Sequence, residues 1–218
     1  MLLPYAPKLA FAVVLCGLAL HLVLALALLW VMARGPKEAR GVNPSWHLSF
    51  VGFIVAAPVL VRLGQAGLAE AILVVTGLAA VAIWGLSLVQ LLRRIPPAPL
   101  RPMLAIHLAP AALISVTAGL LGQSLLATGM AGFGAVILLA LLASARWLTA
   151  AGVTPLWGAF TFPLSAFALA LWDLGGLWQQ AGAVVLLAAC LLVPWVAWNV
   201  LKLWPGGRLA AKTNAAEA

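Results

Sequence analysis

Few side chains in this sequence of 218 residues have the types and spacing that catalysis requires. There is no metal-ligand cluster, no glycine-rich phosphate loop and no nucleophile with a nearby base. A metal bound by His47 and His107 would need a third ligand, and none is evident. We therefore predict no catalytic residue, no metal and no cofactor. The two histidines can instead donate hydrogen bonds to a polar solute or to a neighbouring helix.

The other useful side chains are hydroxyls and aromatic rings inside long apolar stretches. Each has a structural alternative, because a histidine can bond a neighbouring helix and a hydroxyl can bond its own helix backbone. His21 lies in an apolar stretch that has no internal proline, and it is interpreted as structural. The candidates to line a solute path are His47, Ser49, His107, Ser115, Thr117, Phe160, Thr161 and Ser165.

The elements that must position these residues are transmembrane helices. Hydrophobic residues make up 66% of the chain and charged residues 7%, against about 25% charged residues in ordinary soluble domains. The apolar runs are continuous and do not alternate with polar residues, which favours an all-α integral membrane protein over a β-barrel. The net charge of +8 is spread over short loops. A lipid bilayer is therefore the expected partner, and nucleic acid is not.

Seven spans are predicted, since each crossing needs about 20 mainly apolar residues. They form a single transmembrane domain over residues 1–204, followed by a polar tail at 205–218 that is predicted to be disordered. The spans cover about 8–32, 44–63, 69–92, 102–121, 126–148, 155–172 and 178–204.

The basic residues predict the orientation, because lysine and arginine concentrate in cytoplasmic loops. Only Lys8 and Arg62 fall on the opposite side from the rest. We expect a multi-pass protein of the cell (inner) membrane with its N-terminus outside and its C-terminus in the cytoplasm. The residues on the predicted cytoplasmic side are Arg34, Lys37, Arg40, Arg93, Arg94, Arg101, Arg146, Lys202, Arg208 and Lys212.

The spans are of two alternating kinds. Spans two, four and six begin with a proline and contain a second one, Pro58, Pro110 or Pro163, which is expected to kink the helix. They also hold the polar candidates, so we predict that they line the interior while spans one, three and five face lipid. Spans two to seven form three hairpins of a kinked inner helix and an outer helix. Span one then lacks an inner partner, which suggests missing sequence upstream.

No carboxylate, lysine or arginine lies in the middle of a span. Proton-coupled carriers usually place an ionisable group within the membrane. The neutral interior therefore favours passive passage driven by voltage or a gradient, although a histidine could still carry a proton.

Three segments resemble a known family. They are NPSWHLSFVGFIVAAPVL at 43–60, LRPMLAIHLAPAALISVTAGLL at 100–121 and TPLWGAFTFPLSAFALALW at 154–172. They resemble the fifth, seventh and ninth helices of the tellurite-resistance/dicarboxylate transporter family, which includes TehA proteins, fungal malate and sulfite carriers and plant slow anion channels.

The resemblance implies a fold of ten helices in five hairpins around a pore, assembled as a homotrimer with one pore per subunit. This chain would then be the C-terminal seven helices, without the first three. The implied function is passage of C4-dicarboxylate, tellurite, sulfite or small inorganic anions, by a channel or a carrier. A truncated remnant that does not conduct, and an unrelated membrane enzyme or assembly factor, are the alternatives.

The resemblance also implies a pore gate at Phe162, where the family has a phenylalanine that plugs its pore. A phenyl ring in a narrow apolar pore excludes hydrated ions by its size and by dewetting. Pro163 is the next residue, so bending of the backbone there would move the ring. The alternative is an aromatic side chain packed between helices.

Overall fold

The computed structural model describes residues 5–36, 41–205 and 207–209, and all regular structure in these ranges is helical. Seven helices follow one another along the chain and are labelled α1 to α7. A short helical turn, Ala145–Leu148, follows α5. The helices are α1 Pro7–Arg34, α2 His47–Arg62, α3 Ala66–Arg93, α4 Ala98–Leu120, α5 Ser124–Ala143, α6 Pro155–Leu174 and α7 Gly176–Leu201.

Length and composition identify a membrane protein. Six helices in the described ranges, all except α2, are long and apolar enough to cross a membrane. Helix α2 is apolar but spans only His47–Arg62, which is shorter than the roughly 20 residues of a regular α-helical crossing. The chain is therefore an all-α, multi-pass membrane protein.

Helices α2, α4 and α6 change their type of winding along their length. Helix α4 starts as a 3₁₀-helix over Ala98–His107 and continues as an α-helix over Leu108–Leu120. Helix α6 makes the same change between Pro155–Phe160 and Thr161–Leu174. Helix α2 begins with a π-helical segment, His47–Val51, and is 3₁₀-helical over Gly52–Ala56 before its α-helical end.

The last proline of each of these helices lies in the first turn of the α-helical part. Pro58 is the second residue there, and Pro110 and Pro163 are each the third. The first N–H groups of an α-helix have no partner within the helix, so a proline at that point removes little. The prolines thus mark the place where 3₁₀ winding gives way to α winding.

Helix α4 forms the centre of the bundle. In the most apolar stretch of α4, 67% of the residues are buried, against 33% in α6 and 6% in α1. It packs against α2, α3, α5 and α6, while α7 packs against α6 and α1 against α2. The outer helices α1, α3, α5 and α7 leave most of their apolar residues exposed, as expected where lipid is the solvent.

Small residues bring α5, α6 and α7 close together. A methyl group on Gly134 would lie 2.5 Å from the ring of Phe167, and one on Gly182 would lie 2.9 Å from the backbone nitrogen of Trp172. Close approach at glycine is a common way for membrane helices to gain van der Waals contact.

Polar contacts occur at both ends of the bundle. At one end the Arg101 guanidinium donates to the carbonyl of Trp147 over 3.2 Å, and we call this the basic end. At the other, Gln123 donates to Glu70 over 3.2 Å. Predicted basic residues Lys37, Arg40 and Lys212, and most of the tail at 205–218, lie outside the described residues. The described residues near the basic end are Arg34, Arg93, Arg94, Arg101, Arg146, Lys202 and Arg208.

Candidate functional site

A cavity of about 330 Å³ lies among α1, α2, α4 and α6, and we call it the inner cavity. Its wall includes His21, His47 and Phe162. It also includes Pro110, where α4 has just become α-helical. Helices α2, α4 and α6 therefore all contribute to the wall of this cavity.

Phe162 belongs to an exposed face of α6. Its ring is 48% exposed, and Leu169, seven residues further along, is 50% exposed. Ser165 lies between them on the same face and is also exposed. Phe167, by contrast, is 1% exposed and contacts Gly134 of α5. Phe167 is thus the packed core aromatic of α6, and Phe162 is not.

A pair of histidines joins α2 to α4. His47 Nε2 and His107 Nδ1 are 2.9 Å apart, and the two rings are nearly perpendicular. His47 is 3% exposed, and its Nδ1 has no hydrogen-bond partner among the described residues. A direct bond between these nitrogens leaves no space for a metal between them, and the described residues contain no group of three metal-binding side chains.

The two histidines border different spaces. His47 lines the inner cavity, whereas His107 lines a groove of about 580 Å³ between α3 and α5, which we call the outer groove. Trp84 of α3 donates its indole N–H to the carbonyl of His107 over 3.1 Å. The histidine pair therefore forms part of the wall between the inner cavity and the outer face.

His21 fixes α1 to the irregular part of α2. Its Nε2 is 3.0 Å from the carbonyl oxygen of Ser49. Its ring packs edge-on against Phe53 and so close to Gly52 that an added methyl group would lie 2.8 Å away. The π-helical and 3₁₀ winding of α2 frees carbonyl groups, and a polar side chain that satisfies one of them is valuable in a membrane.

Four of the five predicted hydroxyl candidates bond to backbone carbonyl groups. Ser115 donates to Ala127 of α5 over 2.8 Å, whereas Thr117 donates within α4 to Leu113 over 2.8 Å. Both are buried, and Thr117 is fully so. Thr161 and Ser165 bond within their own helix, to Gly158 and Thr161.

The predicted candidates do not all come together. His47, His107 and Phe162 lie at or next to the inner cavity, and Ser165 follows Phe162 along α6. Phe160 packs on Trp157 instead, and Trp157 packs on Trp195 of α7.

Arg62 and Asp173, which are outside the predicted set, border a second cavity among α2, α4 and α6. It has a volume of about 290 Å³, and its wall includes Arg62, Ser115 and Asp173. The sequence places Arg62 and Asp173 at span ends but gives no sign that they face each other. The bond from Trp84 to the carbonyl of His107 was also not predicted, because the sequence does not distinguish this tryptophan from other apolar residues of an outer helix.

Comparison with known proteins gives a match to one family. The family model SLAC1, described as voltage-dependent anion channel, matches residues 2–202 of the chain. The comparison with curated proteins found no match.

Proposed function

This chain belongs to the SLAC1 family of voltage-dependent anion channels, and from that premise we propose that it passes small anions through a path along α2, α4 and α6, closed by Phe162. The observation that carries the proposal is the position of Phe162. Its half-exposed ring borders a cavity that residues of α2, α4 and α6 line together. An apolar ring across a narrow path excludes hydrated ions.

His47 supplies a donor for the anion in this proposal. A neutral histidine carries one N–H, so the bond between His47 Nε2 and His107 Nδ1 needs a donor and an acceptor. If His107 is the donor, the proton of His47 lies on Nδ1, which has no partner among the described residues. That N–H is buried in this structure, so it can bond an anion in the inner cavity, which His47 lines, only after the helices around it move apart.

Monovalent anions such as chloride and nitrate fit this path better than dianions. The residues around the inner cavity include histidines but no lysine, arginine, aspartate or glutamate. The cost of removing water from an ion rises steeply with its charge, and no fixed positive charge offsets that cost for a C4-dicarboxylate or sulfite dianion.

The orientation and assembly follow from the sequence and the family. We propose that the basic end faces the cytoplasm, because lysine and arginine are retained on that side. The membrane is the cell (inner) membrane, and the assembly is a homotrimer in which each subunit has its own path.

Purified protein in lipid vesicles tests the function. With a potassium ionophore to set the voltage, vesicles that contain the protein should release chloride or nitrate faster than protein-free vesicles. Anion release equal to that of protein-free vesicles over the accessible voltage range would contradict the proposal, and so would equal release of potassium without the ionophore.

A further inference from the structure

The outer groove is open to the lipid side of the bundle and is almost entirely apolar. It lies between α3 and α5, and its wall includes Trp84, Phe133 and, from α4, His107. Leu88, Phe133 and Leu139, on these helices, are all at least 40% exposed. A groove of this kind within the membrane is filled by hydrocarbon, because no water is present there to fill it.

The groove continues into a polar space at the basic end. A cavity of about 560 Å³ adjoins it, and the two share Ser87, Leu91 and Leu104. Arg94 lines this second cavity, together with Asn43 and Gln90. One continuous depression therefore has a cationic, hydrogen-bonding end and an apolar end.

The positive charge of Arg94 gives this depression a preference for an anionic group. It has no ion pair and no side-chain hydrogen bond among the described residues, whereas Arg101 bonds the carbonyl groups of Pro96 and Trp147. The acidic residues in the described part of the chain, Glu70 and Asp173, lie towards the opposite end of the bundle. Among the described residues, an anionic group at Arg94 would therefore meet no nearby carboxylate.

The dimensions match one leaflet of a bilayer. Arg94 and Trp84 are ten residues apart along α3, which is a rise of about 15 Å. The hydrocarbon core of a bilayer is about 30 Å thick, so the depression reaches from the membrane surface to about the middle. Ser87 lies between the two, and its hydroxyl is shielded and has no partner among the described residues.

We propose that this depression binds an anionic phospholipid, with the phosphate at Arg94 and one acyl chain in the outer groove. The arginine attracts the headgroup phosphate, as basic residues near a membrane surface do. The Ser87 hydroxyl can donate to an ester oxygen, and the acyl chain ends against Trp84 and His107. The site is independent of the proposed anion path.

Photo-cross-linking in vesicles tests the site. The probe is phosphatidylglycerol with a diazirine in one acyl chain, compared with phosphatidylcholine that carries the same group. The phosphatidylglycerol probe should label peptides over residues 84–91 and 133–148 more than the phosphatidylcholine probe does. Equal labelling by the two probes would overturn the headgroup assignment.

Two matched pairs of variants locate the lipid. Gly85→Phe should fill the groove and reduce labelling, whereas Gly77→Phe on the same helix should not, since neither glycine has an atom within 4 Å of an added methyl group. Ala140→Phe fills the groove from α5. It should also reduce labelling, and this result would not depend on correct folding of Gly85→Phe. Arg94→Gln should weaken phosphatidylglycerol labelling about fivefold, and Arg93→Gln should leave it unchanged.

Three further results would overturn the proposal. One is labelling that survives both groove-filling variants. Another is labelling by phosphatidylglycerol that inorganic phosphate alone abolishes, since the site would then hold a free anion. The third is cross-linking in which a second copy of the chain, and not lipid, is attached to the groove peptides.

Discussion

At the scale of single residues, two phenylalanines on α6 show how position decides role. Phe162 and Phe167 are five residues apart, yet one is half exposed beside a cavity and the other is sealed against Gly134. Five residues correspond to about 500° of rotation, so the two side chains leave different faces of the helix. The face of Phe162 also presents Ser165 and Leu169.

Accessible cysteines should distinguish this face from the packed one. Ser165→Cys should react with a small, water-soluble thiol reagent, because Ser165 is exposed on the face that carries Phe162. Thr117→Cys should react at least about tenfold more slowly, because Thr117 is fully buried in α4. The measurement is the rate of labelling followed by mass spectrometry. Equal rates at the two positions would contradict the assignment of faces.

At the scale of helices, winding and close packing are coupled. The 3₁₀ parts of α4 and α6 rise faster per residue than an α-helix, so the 20 residues of α6 extend over roughly 33 Å. The α-helical parts carry the close contacts, of which Gly134 against Phe167 is the tightest between α5 and α6.

Substitution of Gly134 should test that contact. Gly134→Ala places a methyl group 2.5 Å from the Phe167 ring, and overpacking of this kind typically costs about 1–3 kcal/mol. Gly132→Ala is the matched control, since its methyl group would meet no atom within 4 Å and alanine favours a helix by about 1 kcal/mol over glycine. Thermal unfolding in detergent should show a lower midpoint for the first variant and an equal or higher one for the second. A lower midpoint for both would show that α5 tolerates no alanine at either position. The contact between Gly134 and Phe167 would then not account for the loss of stability.

The sequence was sufficient to predict the all-α membrane class, because that class rests on local composition. The pairing of His47 with His107 could not be predicted from the sequence, since the two residues are sixty positions apart and a single sequence carries no record of contacts. The burial of Thr117 was equally hidden, because a threonine that bonds its own backbone satisfies its hydroxyl on any face. The 3₁₀ winding depends on tertiary packing as well as on the prolines.

At the scale of the whole molecule, the charge distribution defines two unlike ends. The basic end gathers seven described arginines and lysines, while Arg62, Asp173 and Glu70 lie towards the other. From the positive-inside rule we propose that the basic end faces the cytoplasm, which would put the entrance of the proposed lipid site in the inner leaflet.

Reporter fusions should reveal this orientation. After Lys212, only a reporter that requires the cytoplasm should be active. Near Gln123, only a reporter that requires the external side should be active. The two positions differ because they follow opposite ends of the helices. Activity is measured with paired reporters that require opposite sides of the membrane. Location of both positions on the same side would be incompatible with the arrangement of the helices.

Removal of the Phe162 ring tests the central claim most directly. In vesicles or a planar bilayer, Phe162→Ala should raise chloride or nitrate current at least about tenfold, which corresponds to a barrier lower by about 1.4 kcal/mol. Its thermal midpoint should change little, because the ring is half exposed. Phe160→Ala, whose ring packs on Trp157 away from the cavity, should leave the current unchanged. Phe167→Ala should lower the stability by about 3–5 kcal/mol without new current. Equal currents for the parent, Phe162→Ala and Phe160→Ala, at normal expression, would contradict the gate.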